Sequence, residues 1–187
     1  MCFSLEISLA TGIFSWSVCL YLLRKDLTIK QYHYVIFLLI FSSMQFADAI
    51  LWYQDMKQND INYAVTSYLI PAILSLQILY VVFIIHKINN PIVSILCIYV
   101  ILWLFKKLNG YSRGACNTLS SPIWNHEFKL DELIIFTILI YGGIYPPVYI
   151  FIMTLTLLYY FAKNSGGYAS FWCATANISG LYYLYRF

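Results

Sequence analysis

Charged residues are scarce in this chain: Asp, Glu, Lys and Arg make up 10% of its 187 residues, whereas apolar types make up 61%. A water-soluble domain carries about a quarter charged residues, because they cover its surface. The shortage excludes an ordinary soluble domain and predicts an integral membrane protein, with the lipid bilayer as its partner. The sequence also has no long basic run interleaved with aromatic residues, which excludes nucleic acid as a partner.

Signatures of familiar catalytic sites are also missing. The chain has no Gly-rich phosphate loop, no Gly-x-Ser-x-Gly motif and no His-Glu-x-x-His motif. The last apolar stretch contains no lysine, which argues against a retinal Schiff base of the rhodopsin type. These absences favour a function other than catalysis.

Long apolar stretches are what the chain has instead, and charges or turn residues mark their ends. The stretch at about 131–163 is too long for one crossing, and Gly142-Gly143 and Pro146-Pro147 break it into two short helices. We therefore predict one domain, residues 1–187, that is all-α and forms a bundle of seven transmembrane helices, with six as the alternative. The predicted spans are about 5–23, 32–53, 64–85, 92–105, two crossings within 131–163, and 168–185.

The two ends of a seven-span chain lie on opposite sides of the membrane. We term the side on which the first span begins side A and the other side B. The connection after the first span carries Arg24, Lys25 and Lys30, and the first hairpin usually dominates the positive-inside rule. The prediction is a multi-pass protein whose N-terminus is outside or lumenal and whose C-terminus is cytoplasmic. Homo-oligomerisation stays open.

One connection, at about 106–131, is long for a compact bundle. It carries Cys116, Trp124 and His126 and lies on side A. Long connections of this kind often serve as lids or binding elements, while an ordinary surface connection is the alternative.

Polar residues gather towards side A. Late in the second span, three such residues follow at spacings of three and four, which places them on one helical face: Gln45, Asp48 and Trp52. An ionisable side chain in lipid costs from about 2.5 kcal/mol upwards at the bilayer centre, so Asp48 is expected to face the bundle interior. The predicted pocket at the side A rim consists of Glu6, Gln45, Asp48, Trp52, Trp172, Cys173 and Asn177.

An acidic pocket at a membrane rim favours a channel or transporter for a small cation or solute. Asp48 would attract the cation and Gln45 would orient it. Two alternatives stay open. One is a membrane-embedded metal- or thiol-dependent enzyme that uses Cys173, and the other is a structural or assembly protein whose polar residues only join helices.

Soft and borderline metal ligands also lie towards side A. Cys2, Cys173 and His126 are candidates to hold a zinc or copper ion. No Cys-x-x-Cys or His-x-x-x-His spacing supports a metal site, however. If side A is lumenal, a disulfide from Cys116 to Cys2 or Cys173 is an alternative use of the same thiols.

Three stretches together resemble an uncharacterised family of small polytopic membrane proteins from bacteria and large DNA viruses: MCFS at 1–4, MQFADAILW at 44–52 and SFWCATANISG at 170–180. Members open with Met-Cys-Phe-Ser, carry Gln-x-x-Glu-x-x-x-Trp late in the second span and end with a Trp-Cys span. The resemblance implies seven spans and a site at the side A rim, but no reaction. Asp48 stands where the family has Glu, which keeps the charge and shortens its reach by one methylene. The matching positions are Cys2, Gln45, Trp52, Trp172 and Cys173.

Overall fold

Most of what the computed structural model describes is helical. Three helical segments are long and apolar enough to cross a membrane, namely Leu5–Leu22, Ile29–Tyr53 and Asp60–Ile85. A helical membrane protein, as predicted from the sequence, is therefore confirmed. The two crossings predicted within 131–163 lie almost wholly outside the described residues. The structure describes residues 4–114, 122–126, 129, 132, 143 and 168–187.

The elements follow one another along the chain with short connections, apart from the long one after the fourth predicted span. Two π-helical turns, π1 (Val65–Leu69) and π2 (Tyr80–Ile85), lie within the third span, and two short strands, β1 (Arg113–Gly114) and β2 (Pro122–Ile123), lie in the long connection. The α-helices are α1 (Leu5–Leu22), α2 (Ile29–Ser42), α3 (Met44–Tyr53), α4 (Asp60–Ala64), α5 (Ile70–Leu79), α6 (Pro91–Lys107) and α7 (Tyr168–Arg186).

Helix α1 packs closely against α3 because its buried face is built from small residues. The Ser4 hydroxyl caps its start by accepting a hydrogen bond from the Ile7 N–H at 3.3 Å. A Cβ atom added at Gly12 would lie 3.1 Å from the Phe46 ring, so glycine allows this approach. The Trp16 ring meets Phe46 edge to face, with 5.2 Å between ring centroids. This packing brings α3, and the polar residues on it, against the first span.

The second span bends between α2 and α3. It begins with a capping box in which Thr28 and Gln31 satisfy each other's backbone N–H groups, so α2 starts earlier than the predicted residue 32. At the bend, the Ser42 hydroxyl donates to the Leu38 carbonyl and the Ser43 hydroxyl donates to the Leu39 carbonyl, both at 2.8 Å. Serine hydroxyls that bond back to the preceding turn commonly bend helices. The bend sets the direction in which α3 presents its side chains.

The third span starts at Asp60, because the Asn59 side chain caps the helix by accepting from the Asn62 N–H at 2.9 Å. The wide turn π1 comes just before Pro71, which has no N–H to bond to the preceding turn. Helix α6 returns in the opposite direction and is 17 residues long, at the lower end of the range of about 17–25 residues needed to cross the bilayer.

The described part of the long connection contains a small two-stranded ladder. Strands β1 and β2 pair antiparallel, with Arg113 opposite Ile123, and β2 also contacts α3 and α7. The described structure is otherwise mostly helical, in agreement with the all-α prediction. The Asn125 amide donates to the Lys107 and Asn109 carbonyls at 3.2 and 3.0 Å, which ties the end of the hairpin to the end of α6.

Gly110 lies against the Asn125 amide, and we expect Gly110→Ala to lower the free energy of unfolding by about 1–3 kcal/mol. A Cβ atom at this position would lie 2.4 Å from Asn125 Cγ, so the amide would have to leave both carbonyls. Titration of the detergent-solubilised protein with SDS measures the change. The matched control is Gly114→Ala, whose Cβ atom would meet only the Met56 side chain at an ordinary 3.8 Å. Equal stability of the two variants would contradict the predicted overlap.

Helix α7 runs parallel to α1. The Ser15 hydroxyl donates to Asn177 Oδ1 at 3.0 Å, and a Cβ atom at Gly180 would lie 3.8 Å from Val18 Cγ1. These contacts advance along both helices in the same direction, so α1 and α7 begin at the same end of the bundle. An odd number of crossings requires this arrangement, while the count of seven depends on residues outside the described part.

Candidate functional site

Asp48 is the only acidic residue that is fully buried within the described part of the chain. It lies on α3 with 0% of its surface exposed, one helical turn after Gln45, which is 1% exposed. Helix α3 contacts α1, α7, β2 and the third span, so it lies within the bundle. The predicted inward orientation of Asp48 is therefore observed.

Trp124 from the long connection binds Asp48 directly. Its indole Nε1–H donates a hydrogen bond to Asp48 Oδ1, with 3.1 Å between the two atoms. The Trp124 side chain is itself 8% exposed, so an aromatic residue of the connection inserts into the core of the bundle. Trp124 was predicted to lie in the connection but not to be the partner of Asp48.

A second polar network fixes the start of the same connection. The Asn62 side chain donates from Nδ2 to the Ser112 carbonyl at 3.0 Å and accepts from the Ser112 N–H at 2.8 Å. The Thr66 and Ser112 hydroxyls lie 2.7 Å apart, and Ser67 accepts from the Gly110 N–H at 3.0 Å. The four side chains of this network are buried, namely those of Asn62, Thr66, Ser67 and Ser112. The connection is thus anchored next to β1. Trp124, which contacts Asp48, follows later in the sequence, directly after β2.

The structure places the other predicted pocket residues unequally. Glu6 is exposed and lies on the side of α1 opposite the buried Ser8, so it is not brought to Asp48. Trp52 is half-buried in the last turn of α3, one turn after Asp48. Asn177 faces α1 and bonds to Ser15, which agrees with the prediction that small neighbours let another helix approach it. The side chains of Trp172 and Cys173 lie outside the described part.

Of the three proposed metal ligands, Cys2, Cys173 and His126, only His126 has a described side chain. Among the described residues, no group of three or more His, Cys, Asp and Glu side chains is placed to hold a metal ion. His126 is instead paired with Glu132, with 2.9 Å between Nε2 and Oε2, and its ring meets Trp103 edge to face. Cys2, Cys116 and the Cys173 side chain lie outside the described residues, so the thiol-based predictions stay predictions.

The environment of Asp48 determines what it can do chemically. A carboxylate enclosed by apolar side chains interacts strongly with any nearby charge, because little water screens it. Indole N–H is a neutral donor and supplies no positive charge. The arrangement is suited to holding a small cation or a hydrogen-bond donor of a solute, once Trp124 has moved away from the carboxylate.

Comparisons of the chain with protein-family models, with curated proteins and with solved structures give no match.

Proposed function

We propose that this chain is a multi-pass membrane protein that moves a small cation or solute through a site centred on Asp48. The connection at about 106–131 is the lid of this site, and Trp124 is the residue that closes it. The proposal includes seven spans, with the N-terminus outside or lumenal and the C-terminus cytoplasmic.

The hydrogen bond from Trp124 to Asp48 is the observation that carries the proposal. An ionisable residue within a span usually marks a substrate or ion pathway, because its burial is unfavourable for stability. Here the observed donor comes from a connection between spans rather than from another helix. The contact can therefore break when the connection moves, without separation of the helices.

The use of a carboxylate distinguishes Asp48 from the polar residues that only join elements. Neutral groups make such joints in two pairs, Ser15 with Asn177 and Asn62 with Ser112. Neutral groups hold helices together at lower desolvation cost than a charge does. Among the described residues, these two joints between elements use amides and hydroxyls, so the buried Asp48 favours a role in binding.

The two anchors of the connection suggest how the lid opens. The Asn62 network holds the residues next to β1, while β2 and Trp124 cover the site. Movement of segment 122–126 about the anchored end would expose Asp48 to side A. The parallel course of α1 and α7 supports seven spans, because it brings the start of the last span to the same end of the bundle.

The test is cation flux into liposomes that contain the purified protein. We expect the wild-type protein to conduct K⁺, Na⁺ or H⁺ down an imposed gradient and Asp48→Asn, which keeps the shape but not the charge, to reduce the flux at least tenfold. Asp55→Asn is the matched control, because Asp55 is exposed and pairs only with the exposed Lys57 among the described residues. Undiminished flux in Asp48→Asn, or no flux of any of the three cations in the wild type, would reject cation transport through this site.

A second candidate is a membrane scaffold that assembles with other proteins. It is favoured by the number of buried polar side chains that bond to neighbouring elements, such as Asn62 and Ser15. The two functions predict different results for Asp48→Asn. If the protein is a scaffold, the substitution lowers its stability and changes no flux. If it is a transporter, the substitution reduces the flux and the protein remains folded.

A further inference from the structure

We propose that a cleft at side B, at the opposite end of the bundle from Asp48, binds the phosphate of an anionic phospholipid. The cleft lies between the first turns of α2 and the end of π2 and has a volume of about 380 Å³. Its polar lining is basic, with Lys30 and His33 from α2 and His86 and Lys87 from the other wall. None of the described residues that line it is acidic.

The two lysines occupy positions that their local structure disfavours. Lys30 lies in the first turn of α2, where the positive end of the helix dipole repels a cation. Lys87 has a φ of 51°, a left-handed conformation at the end of a helix for which glycine is the usual residue. Residues kept against local preference frequently serve a function. Neither lysine forms an ion pair with any described residue.

The start of α2 adds donors for an anion. The backbone N–H groups of Ile29 and Lys30 lie in the first turn, where the helix itself offers no carbonyl partner. Such N–H groups are suited to bind phosphate oxygens. His33 is half-buried, and its Nδ1 lies 3.1 Å from the Tyr80 hydroxyl, which fixes the ring between the two walls of the cleft. The nearest acidic residue along the chain, Asp26, precedes the cap of α2 and does not line the cleft.

A lipid fits the cleft better than a free phosphate because the remaining lining is apolar. Ile29 is 78% exposed and Ile84 42% exposed, and both line the same cleft as the lysines. Basic side chains beside exposed apolar ones at the end of membrane spans match a phospholipid, whose headgroup is anionic and whose chains are apolar. Inorganic phosphate would use only the basic part.

Native mass spectrometry of the detergent-solubilised protein with equal amounts of phosphatidylglycerol and phosphatidylcholine tests the proposal. We expect preferential phosphatidylglycerol adducts in the wild type, and a reduction of that preference by about tenfold in Lys30→Gln/Lys87→Gly. Lys87→Gly relieves the left-handed conformation, so its melting temperature is expected to stay equal or rise. Lys106→Gln, at the other end of the bundle, is the matched control and should keep the preference.

Two outcomes would overturn the inference. An unchanged lipid preference in the double variant would show that the cleft does not select the headgroup. Inorganic phosphate that binds the wild type as tightly as phosphatidylglycerol, and displaces it, would show that the cleft serves a soluble phosphate rather than a lipid. Neither outcome depends on flux through the Asp48 site.

Discussion

Replacing Asn62 with alanine is expected to lower the free energy of unfolding by about 2–4 kcal/mol. Asn62 is fully buried, and its side-chain amide bonds both the N–H and the carbonyl of Ser112. Alanine leaves the Ser112 carbonyl without this donor and leaves its N–H with only the Thr66 hydroxyl, at 3.2 Å. The Thr66 hydroxyl, which donates to Asn62 Oδ1 at 3.1 Å, loses the same acceptor. SDS titration of the purified protein measures the loss.

The matched control for this prediction is Ser112→Ala. It removes the hydroxyl that lies 2.7 Å from the Thr66 hydroxyl but keeps both backbone bonds to Asn62. We expect it to cost about 1 kcal/mol, the usual contribution of one hydrogen bond. A loss as large in Ser112→Ala as in Asn62→Ala would mean that the hydroxyl, and not the backbone pairing, holds the connection.

Asn62→Ala also reports on the anchoring of the lid. Without Asn62, Ser112 loses two of its bonds to the third span, while Trp124 keeps its contact with Asp48. Amide hydrogen exchange of residues 110–114 is expected to rise first, before exchange in α1 or α3. Exchange that rises equally in all three segments would indicate global unfolding instead of release of the connection.

The ends of the spans are well predicted from the sequence because they depend on local features. The first span was predicted at about 5–23 and is observed at Leu5–Leu22, and the last was predicted at about 168–185 and is observed at Tyr168–Arg186. Charges and turn residues next to apolar runs determine such ends. The second and third spans begin earlier than predicted, because polar residues in their first turns are held by the caps at Thr28 and Asn59.

The partners of the buried polar residues were not predicted, because they are distant in the sequence. Asp48 and Trp124 are 76 positions apart, and Ser15 and Asn177 are 162 apart. Helical spacing identifies the face of a residue but not the element that packs on that face. The signal that was present for Trp124 is its position: an aromatic residue in a long polar connection at the end of the bundle where the acidic residue lies.

The predicted pocket stays a prediction, and its residues on the second span differ from Glu6 in where the structure places them. Gln45 and Asp48 are buried together, as their spacing of three indicated. Glu6 was assigned to the pocket by its nearness to side A alone. Its position on the exposed side of α1 follows from helical geometry, because the small residues Ser8, Gly12 and Ser15 define the buried face. Residue spacing was used to find which residues share a face of the second span. The same procedure applied to α1 would have excluded Glu6 from the pocket.

Substitution of Trp124 is expected to have the largest effect on stability. Trp124→Ala removes a large side chain from the core and should lower the free energy of unfolding by about 3–5 kcal/mol. Trp124→Phe keeps an aromatic ring but loses the indole N–H, so it should cost less and still raise cation flux, because the proposed closing contact with Asp48 is lost. Trp103→Phe is the matched control, since that half-buried ring makes an edge contact with His126 and does not bond to Asp48.

A double-mutant cycle isolates the contact between Trp124 and Asp48 from the packing of the ring. Trp124→Phe and Asp48→Ala, which removes the accepting oxygen that asparagine would keep, are measured singly and together. We expect a coupling free energy of about 1–3 kcal/mol, because the second change removes little once the first has broken the bond. Coupling of this size, together with higher flux in Trp124→Phe and lost flux in Asp48→Asn, is what a lid over a cation site requires. Strong coupling without any change in flux would support the observed hydrogen bond but would give it only a structural role, as in the scaffold alternative. Additive effects on stability would contradict the hydrogen bond itself.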